Sequence, residues 1–164
     1  MDITIRAACS SDLPAMLGIY NEVIANSTAI YCDEPGDLDF MKTYLQGRGQ
    51  AGFPVFVAES AGQLVGYGSF GTFRPRPGYR FTVEHSVHVR RDMRGQGVGN
   101  TLMAALIKRA KAGGYRVMLG AVDSGNTESL EFHRRLGFEI HSALPNVGQK
   151  FGRPLDMTFV SLQL

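Results

Sequence analysis

The stretch RGQGVGN, residues 94–100, places three glycines at alternate positions directly after a strand-forming segment and directly before a helix-forming one. In that setting several main-chain N–H groups lack partners at the positive end of a helix dipole, and together they make an anion site. Glycine keeps side chains out of the anion's approach and permits positive φ. Two familiar phosphate loops are excluded. The loop GxxxxGK[ST] fails because no Lys-Ser or Lys-Thr follows, and GxGxxG fails because Asn100 stands where a third glycine would follow Gly95 and Gly97.

The neighbouring segments show what the glycine run connects. Residues 2–7 alternate as a strand, Ser10, Ser11 and Asp12 offer capping oxygens, and Leu13, Met16, Leu17, Tyr20, Val23 and Ile24 form one helical stripe through about Ala25. A second helix is predicted from Asp37 to Gln46, followed by the loop GRGQAGF. Residues 55–59 and 64–72 read as a hairpin, and the Pro- and Gly-broken segment 73–79 as a loop. Residues 80–89 form a long strand rich in β-branched and aromatic residues. After the glycine run, TLMAALIKRAKAGG is a helix ending at Gly113 and Gly114. A strand over 117–122, a helix over 127–136 closed by Gly137, and two strands over 138–144 and 157–163 separated by a loop complete the order. The expectation is one α/β (α+β) domain over 1–164: a single mixed, mostly antiparallel sheet of about seven strands flanked by about four helices.

Composition narrows the function. The chain has 164 residues, enough for one core without disulfide or metal support, and Cys9 and Cys32 are too few and too far apart for a disulfide framework or a four-ligand metal site. No metal is expected. No apolar run approaches the roughly 18 residues of a membrane span, and Asp2 and Arg6 interrupt any secretion signal, so the expected location is the cytoplasm with no membrane partner. A net charge of +2 gives no strongly basic face, so no nucleic-acid partner is expected. Positive charge does cluster at Arg74, Arg76 and Arg80 and at Arg90, Arg91 and Arg94.

With the standard nucleotide loops excluded, Arg94-x-x-Gly97-x-Gly99 after a strand resembles the R/Q-x-x-G-x-G/A motif with which GCN5-related N-acetyltransferases cradle the pyrophosphate of acetyl-coenzyme A. A second signature follows one strand later, where GNTESLEFHRRLGF supplies Asn126, Ser129, Phe132, His133, Gly137 and Phe138 at the family's spacing. The resemblance spans nearly the whole chain and implies that superfamily's fold. STAIYCDEP (27–35), FRPRPGYRFTVEHSVHV (73–89) and VGQKFGRPLDMTF (147–159) resemble more narrowly the subgroup that acetylates phosphinothricin, methionine sulfoximine and methionine sulfone. The chain departs from that subgroup at Pro77, at His88, where a tyrosine is expected, and at Pro154, where an aromatic is common.

This resemblance implies acetyl-CoA as co-substrate, contacted by Arg94, Gly95, Gln96, Gly97, Val98, Gly99, Asn126, Ser129 and His133 and by the backbone of Val87, His88 and Val89. It places a catalytic glutamate at Glu84 and a substrate-holding loop at Arg74, Pro75 and Arg76. Strand alternation puts Thr82, Glu84, Ser86 and His88 on one face and His85 among valines on the other. Glu84 suits a general base working through water, the alternative being a hydrogen-bonded carboxylate on a sheet surface. His133 stands where the family often uses a tyrosine to protonate the departing thiolate, and otherwise it is a helix residue partly exposed beside Arg134 and Arg135. His85 is included with the substrate group, although a packed or hydrogen-bonded role suits its face better. Arg74 and Arg76 offer paired donors to a carboxylate or phosphinate, and Tyr31 and Phe73 are expected to wall the pocket. By resemblance the chain is a homodimer, with Lys150, Phe151, Gly152 and Arg153 completing a partner's site. Competing readings are the same fold acting on a polyamine, an antibiotic or a protein N-terminus, a non-catalytic acyl-CoA sensor, and, weakest, an unrelated nucleotide-binding protein.

Overall fold

The computed structural model describes residues 1–164. Strand β1 (Thr4–Ala7) leads into helix α1 (Leu13–Asn26), which carries Pro14 in its first turn, where a missing N–H costs nothing. Helix α2 (Leu38–Gln50) is capped by the Asp37 carboxylate, which accepts from the Phe40 N–H at 2.8 Å. It runs one turn past the expected stop at Gln46, through two glycines. The extra turn is held from outside, because the Phe53 N–H donates to the Arg48 carbonyl and the Arg48 side chain lies on the sheet.

Strands β2 (Val55–Ser60) and β3 (Gln63–Thr72) form the expected hairpin, turning through Ala61 and Gly62 with φ of 50° and 74°. Strand β4 (Thr82–Val89), helix α3 (Val98–Ala112), strand β5 (Val117–Asp123) and helix α4 (Thr127–Arg135) follow as expected, α3 beginning directly after Gly97. The final segment differs from the expectation. Strands β6 (Glu139–Lys150) and β7 (Arg153–Gln163) are long and joined by a two-residue turn at Phe151 and Gly152, both with positive φ, so the predicted loop between them is a hairpin. Register slips between Ile140 and Ala143 and between Leu144 and Gly148 let β6 carry Pro145 and a left-handed Asn146. A proline is tolerated there because β6 is the sheet's edge.

The seven strands lie in the order β1-β2-β3-β4-β5-β7-β6, antiparallel throughout except for the β4–β5 pair. Helices α1 and α2 cover one face, where Met16, Ile19 and Met41 pack on Val55, Val57 and Tyr67. On the other face Met103, Leu106 and Ala110 of α3 bury against Phe70, Val83, Met118 and Val160. No helix is long and apolar enough to cross a membrane.

Candidate active site

Strands β4 and β5 are matched only from Thr82–Val117 to Glu84–Leu119, and beyond Glu84 they part. The Arg90 N–H donates to Val65 of β3. By the two-residue alternation of an antiparallel ladder, the main chains of Val87 and Val89 therefore turn into the gap, while that of His88 turns toward β3. At the far end of the gap sits the glycine run. Gly95 and Gly97 have φ of 73° and 87°, and a β-carbon on either would meet nothing within 4 Å. The N–H groups of residues 95–100 have no acceptor within the chain, so an open row of donors faces outward at the start of α3. These features fit the diphosphate of a CoA thioester.

Individual positions in the run do different work. Val98 is buried in the core and offers only its backbone, and the Gln96 amide donates to the Asp92 carbonyl. Gly99 is needed for packing, because a β-carbon there would press on the Phe132 ring at 3.3 Å. Arg94 braces the loop, reaching the Val89 carbonyl at 3.3 Å and Glu22 of α1 at 3.2 Å.

Glu84, Ser86 and His88 face α1 and α2 as the alternation required. Burial raises the Glu84 carboxyl above the usual carboxylate range, with the charge of Arg48 opposing the rise. Ser86 and His88 floor a pocket of about 160 Å³ roofed by Tyr20, Phe40, Met41 and Tyr44. Burial, reinforced by Arg94, pushes His88 down to about 4. Arg48 was not singled out from the sequence, where GRG read as loop. Its guanidinium lies where a β-carbon on Gly71 would be, and Gly71 is the register partner of Glu84. Only the unusual continuation of α2 could have marked it.

His85 lies on the opposite face, beneath α4, and so away from any pocket on the Glu84 side. This corrects its grouping with the substrate. Nδ1 of His133 is 2.7 Å from the Ser129 carbonyl, which can only accept, so Nδ1 carries the proton. Nε2 of the neutral ring then accepts from Nε2 of His85 at 3.1 Å, leaving His85 Nδ1 buried without a partner. Burial keeps both rings neutral, pushing His85 to about 3 and His133 below its ordinary value. Gly120 makes the space, since a β-carbon there would come within 2.6 Å of the His85 ring. His133 is buried rather than exposed, and in this state it has no free N–H for a departing thiolate. Asn126 caps α4, accepting from the Ser129 N–H at 3.0 Å.

The remaining candidates are spread out. Phe73 packs against Tyr79 and Phe159, and Arg74 spreads over the Phe73 and Tyr79 rings in an exposed loop with Pro75 and Arg76. Tyr31 donates to the Asp156 carbonyl at 2.7 Å and covers Gly148. With Ala121, Asp123, Val147 and Met157 it lines a second pocket of about 340 Å³. Tyr31 and Phe73 thus rest on different partners. Lys150 is fully buried in its own chain, donating to the Ser27 carbonyl at 2.5 Å, and so cannot complete a neighbour's site. Phe151, Gly152 and Arg153 are exposed at the hairpin tip.

Comparison with known proteins agrees with this geometry. The model of the acetyltransferase (GNAT) family matches residues 17–138. The L-methionine sulfoximine/L-methionine sulfone acetyltransferase of Pseudomonas aeruginosa is 50% identical, covering 100% of this chain and 96% of that protein. A phosphinothricin acetyltransferase from Sinorhizobium meliloti, solved with acetyl-CoA, superposes with a TM-score of 0.96 at 34% identity, covering 100% of this chain and 89% of that one. A ribosomal-protein-alanine N-acetyltransferase from Brucella melitensis superposes with a TM-score of 0.96 at 45% identity, covering 98% and 99%.

Proposed function

The chain belongs to the acetyltransferase (GNAT) family, and from that premise we propose that it acetylates the α-amine of a small amino-acid analogue of the methionine sulfoximine, methionine sulfone or phosphinothricin type. The observation that carries this reading is where the β4–β5 ladder stops. Glu84 stands at the mouth of the gap whose other end is the amide-lined loop of residues 95–100.

Acetyl-CoA, when bound, supplies an acyl group already activated as a thioester. The residues that would hold it are the main chains of 95–100 and of Val87 and Val89. Glu84 removes a proton from the acceptor amine through water, and burial suits it to that work by raising its proton affinity above that of an exposed carboxylate. The Val87 and Val89 N–H groups face the gap and stabilise charge developing on a carbonyl oxygen placed there. With acetyl-CoA bound, the amine nitrogen would bond to the acyl carbon, the carbon–sulfur bond would break with the coenzyme leaving as its thiolate, and the amine proton would pass through water to Glu84. His133, tied to Ser129 and His85, positions α4 beneath the gap.

We also read the chain as a homodimer. The β6 edge and its hairpin expose Leu144, Val147 and Phe151, an apolar strip on an unpaired sheet edge.

The similarity to a ribosomal-protein-alanine acetyltransferase supports a second reading in which the acceptor is a protein N-terminus. One assay separates the two. Thiol release is followed with acetyl-CoA and methionine sulfoximine, methionine sulfone, phosphinothricin, spermidine, an aminoglycoside and an alanine-ended peptide. Turnover of the first three supports the amino-acid reading. Turnover of the peptide alone supports the second, and no turnover with any amine leaves an acyl-CoA sensor.

A further inference from the structure

We propose that Arg48, rather than Arg74 or Arg76, grips the α-carboxylate of the acceptor amino acid and thereby sets the amine beside Glu84. This inference rests on the amino-acid acetyltransferase reading above and specifies how the substrate is recognised.

Among the arginines that form no ion pair, Arg48 alone has a buried side-chain nitrogen without a partner. Arg6 is paired with Asp12 and Glu59, Arg90 with Asp92, Arg94 with Glu22 and Arg134 with Glu131. The Arg48 side chain makes no ion pair and donates no hydrogen bond, and its Nε is buried with no partner. The Tyr44 hydroxyl is likewise buried and unpartnered, and the Arg48 guanidinium lies over the Tyr44 ring at 5.3 Å. A buried donor left without an acceptor is costly, so the site calls for an anion from outside the chain.

Its position fixes which anion. The guanidinium rests on Gly71, directly across the β3–β4 ladder from Glu84 and on the same face, so the two strands place them about 5 Å apart at the backbone. They do not form an ion pair, which leaves the guanidinium's planar fork free. An α-amino acid carries its carboxylate and its amine on one carbon. Held by Arg48, it delivers the amine to Glu84 and to no other carboxylate on that face of β4. Arg74 offers less, because its guanidinium is already stacked on two rings in an exposed loop. The same geometry selects against polyamines, which lack a carboxylate, and against peptide N-termini, whose α-carboxyl is an amide.

The test compares kcat/KM for methionine sulfone and its α-carboxamide. The intact protein should prefer the acid by about 10–100-fold, the worth of hydrogen bonds to a charged group. Measured at a pH above the Glu84 limb, the acid should lose that advantage through KM in Arg48→Gln while the carboxamide changes little, and Arg48→Lys should fall between. Acetyl-CoA affinity measured by calorimetry should be unchanged in both, showing that the fold is intact. If Arg48→Gln binds acetyl-CoA poorly, Gly71→Ala, which displaces the guanidinium without removing it, should produce the same collapse of the ratio. A preference for the acid that survives in Arg48→Gln or in Gly71→Ala overturns the assignment while leaving the acetyltransferase reading in place. Failure of the unaltered protein to turn over methionine sulfone at all removes that reading and the carboxylate grip together.

Discussion

Replacing Gly97 by alanine, with Gly62 as its matched control, isolates the coenzyme loop from general strain. Both glycines sit in left-handed backbone, with φ of 87° and 74°, and an added β-carbon would meet nothing within 4 Å at either. The steric cost of left-handed backbone is about 1–2 kcal/mol, and alanine recovers about 0.4–1 kcal/mol by restricting the unfolded chain. Each variant should therefore lose about 1 kcal/mol, or about 2–4 °C in Tm for a chain of this size. Only Gly97 lies among the N–H groups of residues 95–100 that lack acceptors. Relaxing its φ swings those donors apart, and losing one or more hydrogen bonds to a charged oxygen should weaken acetyl-CoA about 10-fold or more. Differential scanning calorimetry and isothermal titration calorimetry measure the two effects separately. Equal acetyl-CoA affinity in Gly97→Ala and Gly62→Ala would refute the loop as the diphosphate site.

Other outcomes follow from the same geometry. Glu84→Gln should lower kcat by about 10²–10⁴-fold with acetyl-CoA binding intact, and a retained kcat would remove Glu84 as base. In the unaltered protein kcat/KM should rise with pH along a limb above the usual carboxylate range, because burial raises Glu84. Arg48→Gln should move that limb higher still, since Arg48 opposes the rise, and an unmoved limb would show that the two groups do not interact. His85 is pushed down to about 3 while an unfolded histidine titrates near about 6.5, so in between the unfolded chain binds the extra proton. Stability is full above about 6.5 and falls toward acid by up to about 1.4 kcal/mol per pH unit for this group; His85→Gln should flatten that slope in urea melts at stepped pH. Val147→Asp with Phe151→Asp should reduce a dimer to a monomer in light scattering, whereas a dimer that persists in the double variant places the interface elsewhere.

Much of the fold was legible because its signals are local. The alternation of TVEHSVHV put Glu84 and His85 on opposite faces, and the structure keeps them there. The β2–β3 hairpin and α3 follow from turn residues and helical spacing that a few neighbours suffice to set. The misreadings all involve distant partners. The β6–β7 hairpin was hidden by Pro145, Gly148 and Pro154, residues that normally break a strand, and it survives through slipped register and an edge position. The last turn of α2 survives two glycines because Arg48 docks on a strand met only in three dimensions. Lys150 sits in a polar stretch that reads as surface, yet it is buried against the Ser27 carbonyl across most of the chain's length. His133, flanked by arginines, looked solvent-facing until His85 arrived from β4 to cover it. Glycines were visible as a group, but sequence could not distinguish Gly97, which needs its φ, from Gly99, which needs Phe132's room.

The parting of β4 from β5 beyond Glu84 has a consequence for the protein's persistence as well as its chemistry. Where the ladder stops, main-chain groups that would ordinarily rivet the two halves of the sheet are left unmatched. A thioester lodged there acts as mortar, and ligand at about 100 times its dissociation constant adds about 2.7 kcal/mol to the folded state. Starvation for the coenzyme should loosen the protein at this seam first, so amide exchange along Val87–Val89 ought to report the supply of acetyl-CoA as faithfully as any assay of turnover.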